Sequence, residues 1–88
     1  MSERFLKWAT KRYLETHGYA VTLRPIRLGN FEVDGEVMEP SGVKIAIEFK
    51  TKRDDICRGM RQLAEAIAYR YDSAILATTF RRARKVGF

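Results

Sequence analysis

Three side chains are placed by type and spacing to do chemistry together. Glu48 and Lys50 stand two residues apart in the run Val43-Lys44-Ile45-Ala46-Ile47-Glu48-Phe49-Lys50-Thr51. A strand has a side-chain period of two, so both point to one face. Asp34 lies upstream, on the far side of Glu39-Pro40-Ser41-Gly42. Proline presets one dihedral of a tight turn there and glycine accepts the unusual one. If residues 31–52 form a hairpin about that turn, the Asp34 carboxylate reaches that of Glu48. Two carboxylates and a lysine at a sheet edge suit a hard divalent cation beside a cationic group.

The neighbourhood of Asp34 leaves room for alternatives. Glu32 and Glu36 share its face if the strand alternates regularly, and either replaces it if the register slips by two. Three carboxylates on one strand face repel unless positive charge sits among them. A metal ion, Lys44 or Lys50 would supply it; a solvated strand face is the plain alternative. On the strand over 43–51, Val43, Ile45, Ile47, Phe49 and Thr51 line one face. Ala46 lies between Lys44 and Glu48 on the other, so that face is covered near its middle.

The elements that position these residues follow from periodicity. A helix is expected over 2–17, with Ser2 as N-cap, Glu3 in the first turn and Gly18 as terminator. Phe5, Leu6, Trp8, Ala9, Tyr13 and Leu14 are read as its apolar, core-facing side. His17, the one histidine, is read as a helix-end residue. A first strand is expected over 19–25, and Leu28-Gly29-Asn30 as the turn into the second, whose buried side is Phe31, Val33 and Val37. Asp54 and Asp55 cap a second helix running to about residue 71, with Ile56, Met60, Leu63, Ala64, Ile67 and Tyr71 as its apolar stripe. Gly59, Ala66 and Ala68 permit close packing on a sheet. The run 73–79 is apolar enough for a central strand covered on both faces, reached by a crossover that returns it beside the third strand.

Composition bounds the partners. Eighty-eight residues with 45% hydrophobic content suit a single folded domain, and the net charge of +6, from 17 Lys and Arg against 11 Asp and Glu, favours a polyanion such as nucleic acid. Cys57 is the one cysteine, so no intrachain disulfide forms. No apolar run nears the roughly 20 residues of a membrane span, and no signal peptide is visible. A cytoplasmic protein with no membrane partner is expected. Residues 81–88 form a basic tail, read as a DNA-backbone arm or a solubilising end.

The Asp34…Glu48-x-Lys50 pattern, set in an αβββαβ order of elements, resembles the PD-(D/E)XK nuclease superfamily, the restriction-endonuclease-like fold, and within it the small Holliday junction resolvases of archaea. The resemblance covers most of the chain. It departs at Val33, where the family's nominal motif has proline, and no added specificity domain is expected after the last strand. It implies an α/β (α+β) fold with a mixed four-stranded sheet flanked by helices. It implies a metal-dependent DNA endonuclease, a homodimer or small homo-oligomer, using Mg²⁺ or Mn²⁺ held by Asp34, Glu48 and the backbone carbonyl of Phe49. Lys50 would orient the attacking water. Glu3, with Glu15 second, is the candidate for the helix glutamate that joins resolvase sites, and Gln62 for a glutamine facing the site from the second helix. Arg24, Arg27, Lys52, Arg53 and Arg58 are candidates for phosphate contact; each could equally be a solvated surface charge. Two other readings stand beside the enzyme. One is a nuclease-fold protein that binds nucleic acid or protein without cutting. The other is a small basic module with an accidental match, for which Asp34 would point away from Glu48.

Overall fold

The computed structural model describes residues 2–52 and 56–78. Its elements run α1 (Glu3–Thr16), β1 (Ala20–Thr22), β2 (Ile26–Leu28), β3 (Phe31–Val33), β4 (Gly35–Met38), β5 (Lys44–Lys50), α2 (Ile56–Tyr69) and β6 (Ser73–Thr78). One sheet has the order β1-β4-β5-β6, antiparallel at its first two junctions and parallel between β5 and β6; β2 and β3 form a separate antiparallel pair. The result is a mixed α+β fold, with two helices, a four-stranded mixed sheet and a small second sheet among the described residues. The parallel pairing follows from α2, because a strand that returns by a helical crossover re-enters in the same direction.

The first helix begins and ends as the sequence suggests. The Ser2 hydroxyl accepts the Phe5 amide at 3.1 Å, and Gly18, at φ +90, turns the chain out of the helix. Its packing face differs from expectation. Leu6 is buried against the sheet with Leu14 beside it, whereas Phe5, Trp8 and Tyr13 are exposed. Residues 6, 10 and 14 share one face at four-residue spacing, and Phe5 and Trp8 fall on the arc that turns outward. The second helix is likewise rotated from its expected stripe. Ile56, Gly59, Leu63 and Ala66 lie against the sheet, while Met60 and Ile67 are exposed. Gly59 and Ala66 make the contact, whereas Ala64 and Ala68 are exposed: a Cβ at Gly59 would stand 3.0 Å from both Leu76 Cδ1 and Lys50 Cγ.

The largest correction concerns the expected second strand. It is two strands in two sheets, and Ile26–Leu28 is a further strand not expected, so among the described residues five strands precede α2 where three were expected. β2 and β3 form a hairpin about Gly29 and Asn30, and β4 starts afresh at Gly35. The cause lies in Gly35, which is buried: a Cβ there would stand 2.5 Å from the Thr22 carbonyl oxygen and 2.9 Å from Leu23 Cδ2. Backbone passes where no side chain fits, and the alternation is reset across Asp34. Val33 therefore packs with Leu28, Ala46, Leu63, Ala66 and Tyr71 on the α2 side of the sheet. Val37 packs with Leu6, Ile45, Ile47 and Phe49 on the α1 side.

The three-carboxylate row dissolves with it. Glu32 is exposed and pairs with Arg27 at 3.6 Å, Asp34 sits at the break, and Glu36 accepts from the Tyr71 hydroxyl at 2.8 Å. β5 keeps the expected faces, and residues 45–49 are all buried. Among the described residues β6 is the last strand of its sheet, not a central one, and it is mostly half-buried. β5 alone pairs with it. The Asp54–Asp55 cap, Arg53, Thr79 and the 81–88 tail lie outside the described residues.

Candidate active site

The site begins where the β4–β5 ladder stops. Its last partners are Gly35 and Ile47, and the next pair in register would be Asp34 and Glu48. Side chains replace the missing backbone bonds. The Asp34 amide donates to Glu48 Oε1 at 2.7 Å, and the Phe49 amide donates to Asp34 Oδ2 at 2.8 Å. Each carboxylate is thus aimed by the other strand's backbone. Asp34 is therefore turned toward the Glu48 end of β5 and not away from it.

Lys50 completes the group, with Nζ 3.3 Å from Glu48 Oε2. Its stem lies along Gly59, where the absent side chain of α2 gives it room. Glu48 is only 3% exposed. Burial, and then the negative charge of Asp34, push its carboxyl above the ordinary glutamate range, and Lys50 draws it part of the way back. A buried carboxylate facing a second carboxylate is costly in the ionised state. Asp34 and Glu48 are hard oxygen donors, so the donor set fits a small divalent cation, which would relieve their repulsion. The Phe49 carbonyl is the remaining donor implied by the resemblance. Among the described residues no third His, Cys, Asp or Glu joins them.

The other candidates are distributed unevenly. Glu3 is not in the group: it is exposed on α1 and ion-paired to Lys7 at 3.2 Å. Glu15 is also exposed on α1. Gln62 faces inward from α2, its Nε2 at 3.5 Å from the Glu32 carbonyl, and its Oε1 is buried without a hydrogen-bond partner among the described residues. Thr78, which the sequence reading did not single out, behaves in the same way. It stands in register with Lys50, and its hydroxyl is buried and unpartnered among the described residues. A threonine near the end of an apolar strand carries no sequence signal for this. Arg24 and Lys52 are exposed, Arg27 is engaged by Glu32, and Arg58 is exposed on α2. Arg53 lies outside the described residues. His17 sits at the end of α1, with Nδ1 2.8 Å from the Tyr13 carbonyl oxygen, as a helix-end residue would. Among the described residues no helix is long and apolar enough to cross a membrane.

No protein-family model and no curated protein matches the sequence. Among solved structures the chain is similar to a protein of unknown function from Silicibacter pomeroyi, with a TM-score of 0.74 at 19% identity over 94% of this chain. The chain spans 56% of that protein's length. At that identity the likeness concerns the fold alone.

Proposed function

We propose that the chain is a nuclease domain with a restriction-endonuclease-like core that hydrolyses phosphodiester bonds of DNA with the help of Mg²⁺ or Mn²⁺. One observation carries the reading: Asp34, Glu48 and Lys50 converge through a reciprocal pair of hydrogen bonds and an ion pair at the point where backbone pairing ends. Asp34, Glu48 and the Phe49 carbonyl would hold the ion. When bound, it would polarise a phosphoryl oxygen and lower the pKa of a coordinated water.

The chain's own residues have separable tasks in this reading. Asp34 keeps the Phe49 amide satisfied and so holds the strand end in place for the ion. Glu48 supplies the buried negative charge. Lys50 offers a cation beside the scissile phosphate, where it would orient the attacking water and offset charge that develops in the transition state. Gln62 and Thr78 each keep an unused polar atom in the same layer. Lys52 and Arg24 are exposed cations for backbone phosphates, which would make binding salt-dependent and largely indifferent to sequence.

A second reading has an observation of its own. Glu48 is nearly sealed, and both its oxygens are already held, by the Asp34 amide and by Lys50. That closed arrangement suits a nuclease-fold domain that binds nucleic acid or protein without cutting. One assay separates the two: labelled linear, nicked and four-way-junction DNA with Mg²⁺, Mn²⁺ or EDTA, using the native chain and Glu48→Ala. Metal-dependent cutting that vanishes in the variant supports the enzyme. Absence of cutting by folded native protein on every substrate refutes it and leaves the binding domain.

A further inference from the structure

The outward face of α1 plays no part in that site. Phe5 is 51% exposed and Trp8 58%, with ring centroids 5.8 Å apart. The Arg12 guanidinium stands 5.7 Å from the Trp8 centroid. Trp8, Lys11, Arg12 and Glu15 line an open cleft of about 220 Å³. Helical spacing sets Arg4, Phe5, Trp8, Lys11 and Arg12 on one arc, opposite the buried Leu6. The two aromatic rings are therefore flanked by cations on both sides over about two turns of helix, and Glu15 is the acidic side chain lining the cleft.

We propose that this arc is a stacking platform for unpaired nucleobases, with Arg4, Lys11 and Arg12 holding the phosphates of the same strand. The inference deepens the reading of the chain as acting on nucleic acid, and rests on it: it names a strand with unpaired bases as the form engaged outside the cleavage site. Base faces are hidden inside a duplex and available only where pairing is lost. Aromatic rings interleaved with cations bind such strands by stacking and phosphate contact, with little regard to sequence. A second copy fits less well. A two-fold contact through this arc would set Arg4, Lys11 and Arg12 against the same cations of the other copy. A protein partner would have to desolvate Lys11 as well, and lysine is depleted in such interfaces.

Trp8 is the only tryptophan in the chain, so its fluorescence reports on this face directly. The full chain is titrated in EDTA at low salt with single-stranded oligothymidylate and with a hairpin duplex of equal nucleotide count. Saturable quenching by the strand is expected, with several-fold weaker binding of the duplex. Phe5→Ala should weaken strand binding about tenfold with an unchanged circular dichroism spectrum. Trp8→Ala should do the same by anisotropy of a labelled strand. Lys11→Ala should lower the salt dependence by about 0.7 in log–log slope.

Unquenched Trp8, together with strand binding that Phe5→Ala and Trp8→Ala leave intact, overturns the proposal. So does a sedimentation dimer that Trp8→Ala dissociates while strand affinity is unchanged. Cleavage is scored in parallel with Glu48→Ala. Trp8-dependent strand binding without any metal-dependent cutting removes the nuclease and keeps the platform. Glu48-dependent cutting with binding indifferent to Trp8 does the reverse.

Discussion

Each end of β5 is finished by an aspartate that belongs to another strand's approach. At its start, the Lys44 amide donates to Asp72 Oδ2 at 2.9 Å while the Asp72 amide donates to the Lys44 carbonyl at 2.9 Å. At its far end, Asp34 accepts from the Phe49 amide and gives its own amide to Glu48. The two side chains do the same structural work, extending a ladder by one step. They differ in what surrounds them. Asp72 is exposed, and its carboxylate accepts the Lys44 amide at the surface. Asp34 is half-buried, and it faces a second, almost fully buried carboxylate with a lysine held beside it. Capping a strand needs one acceptor. The second carboxylate accepts the Asp34 amide, a task a neutral acceptor would also perform, and its charge adds a repulsion that burial makes costly, which is why the Asp34 end reads as a candidate site and the Asp72 end as a joint.

The same substitution at both ends breaks the comparison most sharply. Asparagine keeps an acceptor oxygen for the amide in either place and removes the charge. Asp34→Asn should lower metal-dependent cleavage by about 10²- to 10³-fold. Asp72→Asn should leave the rate within about twofold and cost about 0.5–1.5 kcal/mol of stability, the worth of an exposed hydrogen bond made weaker. Single-turnover rates and chemical denaturation of the two variants measure this. Equal activity loss at both ends would mean that Asp34 matters only as a cap.

Stability without substrate gives the next largest difference. A divalent ion that binds the folded chain should raise its stability by about 2.7 kcal/mol at a hundred times the dissociation constant. Native protein and Asp72→Asn should show that gain in thermal melts with Mg²⁺; Asp34→Asn should not. The metal-free protein carries a pH signature as well. Glu48 has its folded pKa raised, so its protonated form is the one the fold favours. That contribution is full below the unfolded glutamate value and declines as pH rises through the folded one. Metal-free stability should therefore fall across a window that starts near the ordinary glutamate value of 4.5 and extends above it. Removing the neighbouring charge in Asp34→Asn should narrow that window, and Asp72→Asn should leave it alone.

How much of this was legible in the sequence depends on which force set the feature. Glu48 and Lys50 were readable because a strand's period fixes them, and the turn at Glu39-Pro40-Ser41-Gly42 because proline and glycine do. The meeting of Asp34 with Glu48 followed from the hairpin. The break that aims Asp34 was not read, since Phe31-Glu32-Val33 and Val37 keep an apolar alternation straight across it. The clue was Gly35, a glycine inside a strand pattern, which marks a close backbone approach or an interruption. Apolar residues at helical spacing look alike whichever side the sheet lies on, so Phe5, Trp8 and Met60 read as core from the sequence. Only the packing of Leu6 and Gly59 decides the rotation. Asp72 and Thr78 have no local pattern at all; their places beside Lys44 and Lys50 come from register across strands.

A smaller effect should come from tightening the contact behind Lys50. Gly59→Ala would gain about 1 kcal/mol of helix propensity. Its Cβ would stand 3.0 and 3.2 Å from the Lys50 Cγ and Cε atoms and 3.0 Å from Leu76 Cδ1. The lysine stem is flexible and must yield, which moves the ammonium off its 3.3 Å contact with Glu48. We expect cleavage to fall about tenfold while the melting temperature changes by no more than a few degrees. Unchanged activity in a protein as stable as the native one would mean that the position of Lys50 is not critical.

The smallest effect lies at the Asp72 end, and it is alkaline. Tyr71, the residue before Asp72, is 3% exposed, and its hydroxyl donates to Glu36 at 2.8 Å. Burial, and then the Glu36 carboxylate accepting that bond, push the phenol up to about 12 from its usual 10.0. The folded chain thus keeps a proton that the unfolded chain has already released above pH 10. Stability should be full below that point and decline as pH climbs toward 12. Tyr71→Phe should remove the decline, at a cost near neutral pH of about 1 kcal/mol for the lost hydrogen bond. Urea melts at pH 7, 10 and 11.5 measure both. Because the Tyr71 hydroxyl bonds Glu36 and takes no part in the hydrogen bonds and ion pair that join Asp34, Glu48 and Lys50, cleavage at neutral pH should be unchanged in that variant. An activity loss there would show that the two ends of β5 are coupled through the strand, and that the joint is part of the site.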